Sequence, residues 1–300
     1  MYTHRWGKNL FSFTAVSALL SSFGALWLVV KITAFFFADT KAPEIIRGLW
    51  YVFGGVGVGI AAYRCWPRFS VSHRLNGRDT IIQIAIGDVF AFSGAVVVGT
   101  NTTFDTHISR DLISERSVQG AFTRKYYGDE TQLDAELVSA LADELSTPIT
   151  GHRMGKSNAY PMGTVARLTP RERTAYLVAI ADINAYGVAS GTFDGLKDAL
   201  AQLWLFIGSR GLKEDVVLPV LGTGFCRLTQ TREEIVRETV RSFVAACSER
   251  TFCSKLTIVL SPRDVAEHCI SLDEIGIFVR HVCTYTEFAS NAGAPVGTAA

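Results

Sequence analysis

Apolar side chains dominate the first sixty residues, and this pattern gives way to a charged sequence near residue 64. The run Leu10–Val30 has no charged residue, which meets the requirement of about 20 apolar residues for crossing a bilayer. A second run, Ile45–Ala62, is interrupted by Arg47 and by several glycines. The two runs predict a transmembrane helical hairpin over residues 1–63. A cleaved signal peptide is the alternative for the first run, which is longer than an ordinary signal core.

Basic residues flank both ends of this apolar segment, namely Arg5, Lys8, Arg64, Arg68, Arg74 and Arg78. By the positive-inside rule both termini face the cytoplasm, which predicts a multi-pass protein of the cell inner membrane in contact with membrane lipid. Residues 64–79 form a juxtamembrane linker in this interpretation. Gly55 and Gly59 have a spacing that lets helices approach closely in lipid. This spacing is typical of a homo-oligomer, of packing within the hairpin, or of a glycine-rich helix with no specific partner.

After residue 80, short apolar runs alternate with segments of helical periodicity. The predicted strands are Ile81–Ile86, Gly94–Thr100, Met162–Leu168, Ala175–Ala181, Val216–Val220 and Leu256–Leu260. The predicted helices are Glu136–Leu145, Thr192–Ile207, Thr231–Ser248, Asp264–Cys269 and Ser271–Phe288. This alternation is typical of a mostly parallel sheet. We therefore predict an α/β fold, a three-layer α/β/α domain over residues 80–288, with a flexible tail over residues 289–300.

Composition sets limits on the function. Hydrophobic residues make up 48% of the chain, and their excess lies in its first quarter. The net charge of +1 gives no bulk electrostatic basis for nucleic-acid binding. The six cysteines show no CxxC pair and no metal-finger spacing. We interpret them as reduced, buried small hydrophobic residues, and we expect neither a metal nor a cofactor.

Two polar side chains stand at the ends of predicted strands, where α/β sheets bind ligands. Asp88, followed by Val89, comes after the first strand. Its carboxylate can accept hydrogen bonds from an amino group such as that of adenine, or it can cap a helix. Asn101 comes after the second strand, where it can bind a ribose hydroxyl or hold a turn.

A glycine-rich turn follows the strand that begins at Val216, and it is the most specific of the three segments. It contains Gly222, Thr223, Gly224 and Phe225. Its backbone amides can close on an anion, although glycines at such a turn can also serve steric needs alone. Arg227 lies just beyond this turn, and it is the cation we favour for the ligand's charged end. Three weaker candidates lie upstream: Arg124, Arg153 and Lys156.

Taken together and in this order, the three segments resemble the macro domain, an ADP-ribose-binding α/β/α module, over about Thr80–Leu260. The resemblance implies that Asp88 binds adenine and that Asn101 lies near the distal ribose. It also implies that the turn at Gly222 binds the diphosphate.

A membrane hairpin ahead of such a domain is similar to the ThsA-type effectors of the Thoeris antiphage system. That resemblance implies a receptor for an ADP-ribose derivative, such as a histidine- or imidazole-conjugated ADP-ribose. The signal would be made from NAD by a partner protein with a TIR domain. The resemblance further implies that signal binding drives assembly of the membrane segments and disruption of the membrane.

An enzyme is the main alternative, either a membrane-tethered ADP-ribosylhydrolase or an NAD-processing enzyme. Such an enzyme requires a positioned water or nucleophile and a general base, for which the candidates are Asp105, His107 and Asp182. Residues 102–105 stand where hydrolytic macro domains have a glycine-rich loop, and residues 109–160 form a long insertion. Both departures favour a receptor. A scaffold that binds no ligand is the third alternative.

Overall fold

The computed structural model describes residues 13–36, 50–64, 69–108, 112–149, 155–183, 188–224 and 228–288. The chain divides into two compact units, Met1–Arg68 and Phe69–Ala300. The predicted tail over residues 289–300 lies outside the described residues, as do Arg153, Phe225 and Arg227.

The first unit contains two helices, α1 (Phe13–Phe36) and α2 (Trp50–Arg64), which contact each other. The described residues number 24 in α1 and 15 in α2. Within the ranges described, no helix combines the length and the apolar character needed to span a bilayer. The prediction of a transmembrane hairpin in a multi-pass inner-membrane protein is therefore wrong.

The two glycines that predicted close helix packing face open space. A Cβ atom built on Gly55 or on Gly59 would have no neighbour within 4 Å. The contact between the described parts of α1 and α2 therefore does not depend on these glycines.

The second unit is built on a mixed sheet of eight strands. The strands are β1 (Ser70–Arg74), β2 (Ile81–Ile86), β3 (Ala95–Asn101), β6 (Val165–Leu168), β7 (Ala175–Ile183), β8 (Ala189–Ser190), β9 (Val216–Pro219) and β10 (Lys255–Leu260). Two further strands, β4 (Thr147–Pro148) and β5 (Asn158–Ala159), form a separate hairpin. The order across the sheet is β1-β2-β10-β9-β3-β7-β6, with β8 paired to β7. The five central strands, β2, β10, β9, β3 and β7, are parallel, whereas β1 and β6 are antiparallel to their neighbours.

Helices cover both faces of this sheet. They are α3 (Val118–Tyr126), α4 (Glu130–Ala140), α5 (Phe193–Arg210), α6 (Arg232–Glu249), α7 (Pro262–Glu267) and α8 (Leu272–Tyr285). One buried cluster joins the sheet to α5, α6 and α8, and a second joins its other face to α3 and α4. Each helix begins at a Ser, Thr or Asp whose side chain accepts a backbone N–H bond in the first turn, as helix caps do. The α/β fold is confirmed.

Three segments differ from the predictions. β1 lies within the stretch predicted as a linker, so the sheet begins before residue 80. Residues 109–160, predicted as an insertion, contribute α3 and α4, which form one helical layer of the sandwich. Met162 to Thr164, predicted as the beginning of a strand, instead form a turn before β6.

The cysteines were predicted to be buried. Cys247, Cys253 and Cys283 are buried, whereas Cys269 is exposed. Burial raises the pKa of the Cys247 thiol to about 12 and that of Cys283 to about 11, so these two thiols stay protonated near neutral pH.

Candidate functional site

The carboxyl ends of the five parallel strands define one edge of the sheet, called the carboxyl edge below. Asp88 follows β2, the turn at Gly222 follows β9, and Asn101 ends β3. Because these strands are parallel, the three predicted segments share the carboxyl edge. The start of β1 also lies there, since β1 is antiparallel to β2 and the Ile86 amide donates to the Phe69 carbonyl at 2.8 Å.

Asp88 stands at the surface of the carboxyl edge. Its Oδ1 accepts a 3.0 Å hydrogen bond from the amide of Phe90 and caps a short 3-10 helix, Val89–Ala91. Val89 and Phe90 are buried, whereas Asp88 is exposed. The capping bond orients the carboxylate, and its exposure leaves it accessible to a ligand.

Arg173 fixes the connection from β2 to β3, residues 87–94, which contains Asp88. Its guanidinium donates to the carbonyl oxygens of Gly94 at 2.9 Å, Phe92 at 2.7 Å and Phe90 at 3.3 Å. It also donates to the hydroxyl of Tyr126 at 2.6 Å. Four bonds from one rigid, planar group hold this crossover in a single conformation. Nothing in the local sequence around Arg173 indicates this role.

The glycine turn after β9 has a tight backbone. Gly222 is buried with φ +74°, a left-handed conformation that glycine adopts without steric cost. An added Cβ would lie 2.4 Å from Cδ1 of Leu228. The Thr223 hydroxyl donates to the carbonyl of Val220 at 3.1 Å and so stabilises the turn. Gly224 is exposed at the end of the described turn.

Arg232, the first residue of α6, contacts this turn. One of its terminal nitrogens, Nη2, lies 3.3 Å from the carbonyl oxygen of Thr223 and 3.8 Å from Oδ1 of Asp264. Sequence reasoning favoured Arg227 and missed Arg232. The signal that was available is its position, directly after the Thr231 cap of the helix that follows the glycine turn.

The segment after β3, residues 102–107 (the β3 loop), is closed by a buried hydrogen-bond network. Asn101 Nδ2 donates to Asp105 Oδ2 at 3.1 Å, and Asn101 Oδ1 accepts from the Asp105 amide at 3.0 Å. The Thr103 hydroxyl lies within hydrogen-bond distance of Asn101 Oδ1 and of Asp105 Oδ2, and it can donate its one proton to either. Residues Asn101 through Thr106 are all buried. The side chain of Asn101 thus holds the β3 loop together.

Lys156 fastens the β3 loop to the helical layer formed by α3 and α4. Its amide donates to Asp105 Oδ1 at 2.7 Å. Its ammonium donates to the Phe104 carbonyl at 2.7 Å and pairs with Asp134 of α4 at 2.6 Å. Gly155 makes this approach possible, because a Cβ there would lie 2.5 Å from Asp105. Lys156 is therefore engaged in the loop, while the other described candidate, Arg124, pairs with Glu115 at 3.2 Å.

The residues considered for catalysis occupy three different environments. Asp105 is fully buried, and both of its carboxylate oxygens accept hydrogen bonds. His107 Nδ1 lies 3.0 Å from Glu130 of α4, and both side chains are partly exposed. Asp182 is exposed near the end of β7. In the described ranges, no three His, Cys, Asp or Glu side chains form a group that could hold a metal ion.

Comparison with known proteins places this arrangement in a family. Residues 82–261 match the family model "Thoeris protein ThsA, Macro domain". The Thoeris protein ThsA of Bacillus amyloliquefaciens (strain Y2) is 23% identical over 167 residues, which cover 53% of this chain and 53% of that protein. The chain thus spans about half the length of this curated relative.

Two solved macrodomains are also similar. The Oceanobacillus iheyensis macrodomain with ADP has a TM-score of 0.49 and 15% identity, covering 71% of this chain and 97% of that one. The Trypanosoma brucei macrodomain in complex with ADP-ribose has a TM-score of 0.43 and 12% identity, covering 70% and 73%. The family match alone extends over more than half of the sequence. The chain therefore belongs to the Thoeris protein ThsA macro domain family.

Proposed function

We propose that this protein is a receptor of Thoeris antiphage defence that binds an ADP-ribose-derived signal at its carboxyl edge. Membership of the ThsA macro domain family supports the defence role and ADP-ribose-related binding. One observation carries the proposal: Asp88, exposed and oriented, lies at the same edge of the sheet as the glycine turn at Gly222. In this assignment Asp88 accepts from the adenine amino group and the turn binds the diphosphate.

The closed β3 loop favours a receptor over a hydrolase. The side chain of Asn101 and the carboxylate of Asp105 bond to each other within the loop, so neither is poised to activate a water. A receptor benefits from a rigid pocket, because a preorganised site loses less entropy on binding. Asn101 contributes to ligand binding through the shape of the loop, with its amide able to donate one further bond to a ribose.

The signal in this proposal is an ADP-ribose conjugate, for example with histidine or imidazole, made from NAD by a TIR-domain partner. Binding would then favour a homo-oligomer, since a ligand shifts an equilibrium only through different affinities for its two states. Membrane disruption by this protein would need helices that span the bilayer, and the described residues contain none. We therefore do not propose it. Light scattering of the full chain, alone and with ADP-ribose or its histidine or imidazole conjugate, tests the assembly step, and an unchanged mass with every ligand would contradict it.

Calorimetric titration of the full chain with ADP-ribose and its conjugates tests the binding function. We expect Asp88→Ala to weaken binding by about 1–3 kcal/mol, the range for a charged acceptor removed from a bound donor. The matched control is Asp79→Ala, which removes an exposed carboxylate just before β2, at the opposite end of that strand. Absence of binding by the wild type would refute the proposal, and equal losses in both variants would remove Asp88 from the site.

A hydrolytic function is favoured by one observation, the 3.0 Å contact between His107 and Glu130. A carboxylate that orients a histidine is a common arrangement around a general base. Incubation with NAD or with ADP-ribose conjugates, followed by chromatography, tests this alternative. Multiple-turnover release of free ADP-ribose that is lost in His107→Asn would replace the receptor by an enzyme.

A further inference from the structure

Arg232 is a largely buried cation whose hydrogen-bonding capacity is mostly unused. Its side chain is only 21% exposed. Its one hydrogen bond to the described residues goes from Nη2 to the Thr223 carbonyl, at 3.3 Å. Its Nε is buried and has no partner among them. A guanidinium carries five N–H donors, and a buried donor without an acceptor is costly. Among the described residues, Arg232 therefore has fewer close acceptors than it has N–H donors.

The position of Arg232 indicates which acceptor is missing. Thr223 lies between the two glycines of the turn after β9, and Asp264 lies in α7, directly after β10. The guanidinium thus stands between the ends of two neighbouring parallel strands. An anion held by the amides of the glycine turn would be within reach of its unpaired donors.

The start of α6 does not supply this charge by itself. The side chain of Thr231 accepts from the Glu234 amide, and the Glu234 carboxylate accepts from the Thr231 amide. This capping box uses the first donors of the helix. Glu233 and Glu234 also place negative charge in its first turn. Among the described residues beside the glycine turn, the Arg232 side chain therefore supplies a positive charge.

Asp264 is positioned as a weak counter-ion. Its Oδ1 lies 3.8 Å from Arg232, longer than the roughly 2.7–2.9 Å of a charge-assisted hydrogen bond. Its Oδ2 accepts a 2.8 Å bond from the Ser261 hydroxyl, which caps α7. Asp264 is thus held by its own helix and cannot close on Arg232 without losing that bond.

We infer that Arg232 is a binding residue for the ligand's diphosphate, and that the diphosphate takes Arg232 over from Asp264. This inference rests on the proposed function and adds a specificity element to the same site. An arginine fork matches the oxygens of a phosphate group and binds them in pairs. The site therefore selects ligands with a diphosphate over the nucleoside alone. The fixed charge of Asp264 opposes the incoming anion.

The inference predicts opposite effects from the two partners. Arg232→Gln should weaken ADP-ribose binding at least about tenfold, since a charged hydrogen bond is lost. Asp264→Asn should tighten binding by about two- to fivefold, because it removes a nearby like charge that salt only partly screens. The asparagine keeps an acceptor for Ser261. Arg232→Lys should recover part of the loss, because lysine restores the charge without the fork.

The experiment is calorimetric titration of the folded full chain with ADP-ribose, and with adenosine as the phosphate-free ligand. Arg263→Gln is the matched control: it removes an arginine next to Asp264 that is 68% exposed and paired with Glu267. Circular dichroism and unchanged adenosine binding establish that each variant is folded. The expected result is a loss specific to ADP-ribose in Arg232→Gln and a gain in Asp264→Asn, with Arg263→Gln like the wild type.

Each other result overturns the inference. If the wild type binds ADP-ribose and Arg232→Gln binds it equally well, Arg232 does not bind the diphosphate while the proposed function stands. If Arg232→Gln and Asp264→Asn both weaken ADP-ribose and adenosine equally, the pair has only a structural role. If the wild type binds no ADP-ribose, the proposed function and this inference both fail.

Discussion

Replacing Asp105 with alanine removes the central acceptor of the β3 loop. The carboxylate accepts from Asn101 Nδ2, from the Thr103 hydroxyl and from the Lys156 amide. Thr103 retains a second acceptor in Asn101 Oδ1, at 3.0 Å. The substitution therefore leaves two donors without their acceptor, one on the buried side chain of Asn101 and one on the backbone of partly buried Lys156.

An orphaned buried donor costs about 1–3 kcal/mol, so the loss for the pair is at most roughly 2–6 kcal/mol. Relief of the desolvation of Asp105 reduces this value, and the shared network makes the two contributions non-additive. We expect the free energy of unfolding to fall by about 2–5 kcal/mol. A loss of this size is a large fraction of the roughly 5–15 kcal/mol that stabilises a typical domain.

Urea unfolding followed by tryptophan fluorescence measures this change, because Trp204 is buried against Phe243 in the second unit. Asp79→Ala is the control, since Asp79 is exposed and paired only with exposed Arg74. Its unfolding midpoint should match that of the wild type. A loss below about 1 kcal/mol in Asp105→Ala, less than one orphaned donor costs, would show that the network does not hold the β3 loop.

Three further outcomes are expected. Gly222→Val should abolish ADP-ribose binding detected by calorimetry, because it strains the turn and places Cβ against Leu228; wild-type affinity would refute the role of the turn. Arg173→Lys should lower the free energy of unfolding, measured in urea, by about 1–3 kcal/mol, since lysine cannot reach three carbonyls at once. An unchanged free energy of unfolding would show that Arg173 does not hold the segment between β2 and β3. Burial, with a smaller contribution from Arg280, lowers the pKa of His73. The unfolded chain then binds this proton more readily, so stability should fall as pH drops through about 6.5 toward the lower folded value, and thermal melts of His73→Gln should show less acid sensitivity.

The parallel core of the sheet was predictable because its strands are dense in β-branched residues. β2 begins and ends at the predicted residues, Ile81 and Ile86, and the boundaries of β3 differ by one. The helix α3 was missed because it is short, contains Gly120 and carries few apolar residues. Its place is set by tertiary packing of Phe122, which is fully buried. Such burial overrides weak local propensity.

The first strand was missed for a different reason. In β1, only alternate residues are partly buried, and its sequence Ser70–Arg74 resembles a basic membrane flank. The apolar segment before residue 64 invited that interpretation. The structure contradicts it, because no helix among the described residues has the length and apolar character to span a bilayer.

The residues proposed to bind the ligand were easier to predict than the residues that position them. We predicted Asp88 and Gly222 from residue type and from their position after a strand. Arg173 was not, because it bonds to carbonyls between 79 and 83 residues earlier in the chain. Any residue can offer a backbone carbonyl, so these contacts leave no pattern in the sequence.

The hydrogen bond between Ile86 and Phe69 has a mechanical consequence. Residue 69 is the first of the second unit, and Ile86 stands two positions before Asp88. The hydrogen bond that joins the start of the second unit to β2 thus lies close in sequence to Asp88, the residue assigned to adenine. A ligand that ordered the backbone at Asp88 would also restrain residue 69. This effect would need no change in the buried hydrophobic clusters. Loss of the same hydrogen bond would loosen the backbone close to Asp88. The order of residue 69 and the order of the proposed binding site would therefore depend on each other.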